Sequence, residues 1–248
     1  GSRYVRQPAD AERGIYCAVG AGMIPIKDEN PTRHAPILTV SILCANVGVF
    51  LYAVSLGHTG FEAFTMQFGL IPFEVTHFTD AISPTPVPLY LTLVTSMFMH
   101  GGWMHLGGNM LYLWIFGNNV EDVFGHFWFL AFYLLCGMLA TLGHVSASPD
   151  SVIPLVGASG AISGVLGAYL IAFPRTRVLV LIPIFLFQLV RIPAAVVLGL
   201  WFIIQLFNAS TESGGVGGGV AWYAHVVGFV VGYLLMYRRK RQRRNRFV

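Results

Sequence analysis

The sequence predicts an all-α membrane protein built around six transmembrane helices. The first reason is composition: 55% of the 248 residues are hydrophobic and only 10% are charged, whereas soluble domains carry about 25% charged residues. The second reason is patterning, since the apolar residues stand in long blocks without charge. A very apolar soluble enzyme is the alternative, and these uncharged blocks disfavour it.

Six segments are long and apolar enough to cross a bilayer. A spanning helix needs about 20 apolar residues, or about 17 in the shortest cases. The predicted spans are Pro36–Leu56, Gly102–Gly117, Phe127–Val145, Val156–Phe173, Pro193–Asn208 and Val220–Tyr237. The second and fifth are short, which predicts tilt or local thinning of the bilayer. The run Val178–Val190 contains Pro183 and stops short of Pro193, so it is predicted to lie at the interface.

The distribution of basic residues sets the orientation. All fifteen Lys and Arg residues fall before the first span, between the fourth and fifth, or after the sixth. The stretches 57–101, 146–155 and 209–219 contain none of them. Because Lys and Arg favour the cytoplasmic side, both chain ends are predicted to be cytoplasmic. An even number of spans requires the same arrangement.

Three regions follow from these boundaries. Residues 1–34 are predicted to form a cytoplasmic N-terminal segment, 35–237 the six-span domain and 238–248 a basic cytoplasmic tail. Within the first region, residues 1–22 are predicted to be an extension, because Met23 suits a natural start. The tail directly follows a membrane helix. Its predicted partner is therefore anionic lipid, at about 1 kcal/mol per basic residue, and not nucleic acid.

The stretch 57–101 is predicted to be a long interfacial first loop. It is rich in Phe, Leu and Pro and poor in charge, a composition that favours the membrane surface over water. Ser83–Pro88 is predicted to form a turn within it.

Polar side chains inside the predicted spans are the candidates for function, because such groups are costly in lipid and face the protein interior. The notable members are His105, Asn109, Ser159, Ser163 and His225. His105 and Asn109 are four residues apart and share one helix face. Ser159 and His225 each lie four or five residues inside a span, which places them roughly 5–8 Å deep. Three helices thus bring polar groups to one level near the outer face.

Small residues allow the fourth and sixth spans to approach closely. They are Gly157, Gly160, Gly164 and Gly167 in the fourth span and Ala224, Gly228 and Gly232 in the sixth. His225, Gly228 and Gly232 share one helix face. A hydrogen bond of about 2.6–3.2 Å between Ser159 and His225 is therefore predicted.

This set suits nucleophilic catalysis. A serine hydroxyl becomes a nucleophile when a base takes its proton, and a histidine suits that role. Asn109, His105 and the backbone N–H of Ser159 are candidate donors to an oxyanion. A purely structural role remains the alternative for each side chain. His100, Gly157 and Ser163 are predicted to support the site or line its cavity.

Metal and carboxylate chemistry are not predicted. The sequence has no H-E-x-x-H motif, and no Asp lies within a predicted span. Cys17, Cys44 and Cys136 have no metal or redox spacing. We therefore expect no metal and no cofactor.

Three segments resemble the signatures of rhomboid intramembrane serine proteases: HGGWMHLGGNMLYLWIFG, VGASGAISGVLGAY and AWYAHVVGFVVG. They match H-x-x-x-N in the second span, G-x-S-G in the fourth and A-H-x-x-G-x-x-x-G in the sixth. The resemblance covers about Met23 to Tyr237. In this chain LTLVTS stands where many members have Trp-Arg in the first loop. Ser163 stands where some members have a Tyr that stacks on the histidine.

The resemblance implies a six-span rhomboid-like bundle with a Ser159–His225 dyad and no third acidic member. It implies an oxyanion hole from Asn109, His105 and the Ser159 backbone. It also implies a water-accessible cavity, and a mobile fifth span or loop 209–219 as a gate. The implied substrates are transmembrane segments of membrane proteins, cut near the outer face.

The predicted function is therefore that of an intramembrane serine endopeptidase in a bacterial inner membrane. One alternative is a catalytically inactive rhomboid-like protein that binds membrane clients. Another is a small transporter, which the absence of inverted repeats and of charged residues at mid-span disfavours. The sequence leaves the oligomeric state open.

Overall fold

The described part of the chain contains nine α-helices and three strands. The computed structural model describes residues 23–80, 82, 84–182, 188–211 and 220–245, with side chains described as far as residue 242. The elements in chain order are β1 (Ile24–Asp28), α1 (Ile37–Ser55), α2 (Gly57–Phe68), α3 (Pro72–His77), α4 (Thr92–Thr95), α5 (Trp103–Phe124), α6 (His126–Ala147), α7 (Ser159–Ala172), β2 (Arg177–Ile182), β3 (Gln188–Pro193), α8 (Ala194–Thr211) and α9 (Trp222–Asn245). Turns of 3₁₀ helix at Leu89–Leu91 and Ser96–Phe98 flank α4.

Helices occupy the six positions at which the sequence predicts spans, namely α1 and α5 to α9. Three of them, α1, α6 and α8, are long and apolar enough to cross a membrane. Helix α7 is apolar but has only 14 residues, while α5 and α9 end in turns that carry charged residues. The fold is thus mostly helical with three candidate spans, and the six-span topology stays a prediction.

Helix α5 continues to Phe124 instead of ending at Gly117. The extension takes in Glu121, a charged residue type that is costly inside a membrane unless it is paired. In the structure Glu121 is 1% exposed, and its Oε2 accepts hydrogen bonds from the backbone N–H and the hydroxyl of Thr39, at 2.7 and 2.6 Å. A carboxylate bonded in this way can stay inside the protein.

Helix α7 begins at Ser159, three residues later than the predicted start of the fourth span at Val156. The preceding residues are held by backbone pairing to the first loop. Leu155 and Leu70 exchange two hydrogen bonds of 2.7 and 3.0 Å, and the N–H of Gly157 donates to the carbonyl of Ser96 at 2.9 Å. Ser159 is therefore the first residue of its helix.

A three-stranded antiparallel sheet, in the order β1-β2-β3, corrects the all-α prediction. The run predicted to be an interfacial segment includes most of β2 and the first residues of β3. Val178 and Val180, two residues apart on β2, are both fully buried, as expected for a strand with one covered face. Strand β1 pairs with β2, from Ile24 opposite Leu181 to Asp28 opposite Val178. The described end of the N-terminal segment therefore packs on the six-helix region.

The first loop is more ordered than a plain interfacial loop. It forms α2, α3 and α4, and α2 has no buried residue, as expected for a helix lying at a membrane surface. Glu74 at the start of α3 is 1% exposed and accepts the N–H of Ile82 at 2.7 Å. Ser83, where the predicted turn begins, lies outside the described residues.

A buried polar cluster ties β1 to the helices at the end of α7 opposite Ser159. The Oδ2 atom of Asp28 accepts hydrogen bonds from the Tyr169 hydroxyl at 2.6 Å and from Asn119 Nδ2 at 2.8 Å. Burial raises the pKa of the Asp28 carboxyl, although the bond from Tyr169 acts in the opposite direction. These bonds hold the strand against α5 and α7.

Helices α7 and α9 meet backbone to backbone, as the small residues predict. A Cβ atom on Gly232 would overlap the carbonyl oxygen of Gly164, and one on Gly228 would overlap that of Gly160. On the other helix, a Cβ on Gly167 would overlap the carbonyl oxygen of Phe229. This contact sets the distance between the helices that carry Ser159 and His225.

Candidate active site

Ser159 and His225 are in direct hydrogen-bond contact. Ser159 is the first residue of α7, and His225 lies in the first turn of α9. The Oγ of Ser159 is 2.8 Å from the Nε2 of His225, within the range expected of a nucleophile and its base. His225 is 7% exposed, while Ser159 is partly exposed. The hydroxyl is thus accessible and the base is shielded.

Asn109 on α5 presents an amide donor that is unused within the protein. Its side chain is buried, and its Nδ2 has no hydrogen-bond partner among the described residues. An unsatisfied buried donor costs about 1–3 kcal/mol. Such a group is suited to bind an oxygen that appears only during a reaction.

Gly157 brings His105 and Asn109 to the turn before Ser159. Its φ is +124°, a conformation that residues with a side chain rarely adopt, and a Cβ there would lie 2.7 Å from His105 Nε2 and 3.7 Å from Asn109 Nδ2. Only glycine fits at this point. The N–H of Ser159, at the start of a helix, has no acceptor within that helix. The side chains of His105 and Asn109 therefore lie close to the turn that leads into Ser159.

His100 contacts His105, and Ser163 contacts Ser159. His100 is buried and packs edge-on against His105, with ring centroids 5.1 Å apart. Neither of its ring nitrogens has a hydrogen-bond partner in the described part of the chain. Ser163 is 1% exposed, and its hydroxyl donates to the carbonyl oxygen of Ser159 at 2.7 Å. That bond uses the hydroxyl proton within α7, and the cavity-lining role of Ser163 stays a prediction.

Gln205 on α8 contacts the site, and the sequence analysis missed it. Its Oε1 is 2.8 Å from the Nδ1 of His225, and the residue is fully buried. The ring of Trp201, one turn earlier, lies beside the same imidazole with centroids 6.0 Å apart. The available signal was an amide in the middle of an apolar helix, the same cost argument that singled out Asn109.

The described residues contain no group of three or more His, Cys, Asp or Glu side chains placed to hold a metal ion.

Comparison with known proteins identifies the family to which this chain belongs. The family model for the Rhomboid domain matches residues 89–242, which include Asn109, Ser159, Gln205 and His225. The chain belongs to the rhomboid family. A rhomboid domain together with long apolar helices makes the chain an integral membrane protein.

Rhomboid relatives come from organelles and from bacteria. Presenilin-associated rhomboid-like protein A, mitochondrial, of Danio rerio is 31% identical over 175 residues, covering 68% of this chain and 44% of the relative. Rhomboid-like protein 11, chloroplastic, of Arabidopsis thaliana is 30% identical over 159 residues, covering 60% and 52%. Rhomboid protease GluP of Bacillus subtilis is 36% identical over 127 residues, covering 51% and 24%. The chain spans about half, or less, of the length of these curated relatives.

Proposed function

We propose that this rhomboid is an intramembrane serine endopeptidase that cleaves transmembrane segments of other proteins near the outer face of the membrane. The observation that carries the proposal is the 2.8 Å contact between Ser159 Oγ and His225 Nε2. It lies near the buried side chain of Asn109, whose Nδ2 has no hydrogen-bond partner among the described residues. One of the relatives is named a protease, GluP of Bacillus subtilis, which agrees with this reaction.

The geometry supports acyl transfer in two steps. The Oγ of Ser159 attacks the scissile carbonyl carbon while His225 Nε2 takes the hydroxyl proton. The carbonyl oxygen becomes an oxyanion that accepts hydrogen bonds from Asn109 Nδ2, the Ser159 N–H and His105. The C–N bond then breaks, and His225 gives its proton to the leaving amine. Water, deprotonated by His225, hydrolyses the ester and regenerates the serine.

The proposed location is a bacterial inner membrane, with both chain ends in the cytoplasm. Basic residues confined to one side of the predicted spans support this orientation. Under it, Ser159 and His225, at the starts of α7 and α9, face the outer side.

The basic tail continues α9 as a helix to Asn245, and its first residues already have protein partners. Arg239 donates to the carbonyl oxygens of Val123 and Phe124 at the end of α5, both at 3.1 Å. Lys240 donates to the Ile171 carbonyl near the end of α7 at 2.9 Å. Cations favour the C-terminal ends of helices. These two residues therefore attach α9 to the ends of α5 and α7. We propose anionic lipid as the partner of the basic residues that follow.

The function is tested first with purified protein in liposomes, using a model single-span substrate and a fluorophosphonate probe. Wild type is expected to cleave the substrate and to label, and Ser159→Ala is expected to do neither. Ser146→Ala is the matched control, because Ser146 is an exposed serine bonded within α6. Wild-type protein that neither cleaves several such substrates nor labels would contradict the proposal. It would favour the inactive, client-binding alternative.

Replacing Asn109 with alanine is expected to lower kcat by about 10²–10³-fold with little change in KM, because one oxyanion donor is lost. Steady-state cleavage of the same substrate measures both constants. Asn46→Ala is the control, since Asn46 is also a buried amide but donates within α1, to the Ile42 carbonyl. Equal kcat losses in the two variants would show that Asn109 is not an oxyanion donor.

A further inference from the structure

The imidazole of His225 has a second hydrogen-bond partner, and that partner carries no charge. Nδ1 of His225 is 2.8 Å from Oε1 of Gln205. Serine proteases with a triad place a buried carboxylate at this position, where it fixes the tautomer and orientation of the histidine. Here a fully buried amide stands there.

The direction of these hydrogen bonds is fixed by a backbone carbonyl. The Nε2 of Gln205 lies 3.3 Å from the carbonyl oxygen of Trp201, which can only accept. The NH₂ group of Gln205 must therefore point to Trp201, and its Oε1 to His225. An oxygen can only accept from Nδ1, so the proton of the neutral imidazole sits on Nδ1. Nε2 is then left free to take the proton of Ser159.

We propose that Gln205 is the positioning residue of the Ser159–His225 dyad and takes the place of the acidic member of a catalytic triad. The inference rests on the proposed protease function. It explains how the histidine is oriented without a carboxylate. It also accounts for Ser163, whose hydroxyl is bonded to the Ser159 carbonyl and does not hold the imidazole.

Helix α8 supplies this support from one face. The Trp201 ring and the Gln205 amide are four residues apart, so they share a face, and both lie against His225. The ring lies beside the imidazole, with planes inclined by 37°, while the amide oxygen contacts Nδ1. A side chain of similar shape without an acceptor would keep the packing and lose the hydrogen bond.

The first experiment compares Gln205→Met with Gln205→Glu in the liposome cleavage assay. Methionine keeps the length of the side chain and removes the acceptor. Its kcat is expected to fall at least about tenfold at unchanged KM, less than the roughly 10⁴-fold loss seen when a triad carboxylate is neutralised. Glutamate restores an acceptor and is expected to regain most of kcat. Asn208→Leu, which removes another amide from α8, is expected to leave kcat unchanged.

A spectroscopic measurement tests the same proposal without catalysis. ¹⁵N spectra of histidine-labelled Ser159→Ala protein, with His225 assigned by its loss in His225→Ala, report which ring nitrogen carries the proton. A single Nδ1–H form is expected, and a mixture of both forms once Gln205→Met is added. A predominant Nε2–H form in the protein with Gln205 intact would overturn the proposal, whether or not the methionine variant folds.

The two possible failures can be told apart. If wild type neither cleaves nor labels, the protease function fails, and the spectra still decide whether Gln205 sets the tautomer. If wild type cleaves and Gln205→Met keeps the wild-type kcat, the protease function stands and the positioning role is wrong. Loss of kcat in Gln205→Met without rescue by glutamate, with unchanged spectra, would also reject it in favour of simple packing.

Discussion

Alanine in place of His225 is expected to lower kcat for cleavage of a single-span substrate by at least about a thousandfold, within the 10²–10⁴-fold range of general base catalysis. The Ser159 hydroxyl would lose the acceptor that now lies 2.8 Å away. Substrate binding should change little, because the base is 7% exposed and offers little surface to a substrate. Initial rates in liposomes over a range of substrate concentrations measure kcat and KM separately.

The double variant Ser159→Ala/His225→Ala sharpens this test. When two residues act as one catalytic unit, the effects of their substitutions on kcat do not add. The double variant should therefore lose no more kcat than the more damaging single variant. Additive losses would mean that the two side chains act independently, contrary to a dyad. The Ser146→Ala control should retain wild-type rates in the same assay.

Alanine in place of Gly232 is expected to abolish both probe labelling and cleavage. The added methyl group would overlap the carbonyl oxygen of Gly164, and backbone cannot move aside as a flexible side chain can. Helices α7 and α9 must then separate, which lengthens the contact between Ser159 and His225. Overpacking of this kind typically costs about 1–3 kcal/mol. A lower unfolding temperature in detergent, measured beside labelling, would show that cost.

Gly48→Ala is the matched control for Gly232. Gly48 also lies inside a long helix, α1, but a Cβ there has nothing within 4 Å. Because alanine favours a helix over glycine by up to about 1 kcal/mol, this variant should be as stable as wild type or more so, and fully active. Normal labelling of a folded Gly232→Ala protein would show that the dyad tolerates a wider helix spacing.

The helices and the dyad can be predicted from the sequence because both produce patterns within short stretches of the chain. Uncharged blocks show where long helices lie, and the glycine spacing on α7 and α9 predicts their backbone contact, which the structure confirms. Ser159 and His225 lie in recognisable motifs, and the structure brings them together at 2.8 Å.

The features that the sequence analysis missed depend on partners far away in the chain. The alternation of Val178 and Val180 is too short to separate a strand from an interfacial run, and its partner β1 comes from the N-terminal segment. Gln205 belongs to no recognisable motif. Its contact with His225 becomes visible only when α8 is placed beside α9 in the structure. Glu121 falls beyond the predicted end of its span, and its buried donors on α1 lie 82 residues earlier in the chain.

Strand β1 must pair with residues that are synthesised much later than itself. Asp28 leaves the ribosome long before its partner Tyr169, which lies 141 residues later. At about 5–20 residues per second, the delay is roughly 7–28 s. Until then the strand has no sheet to join, and its carboxyl is open to water. Pairing of β1 is therefore a late step in folding, completed only after α7 has been made and β2 has followed it.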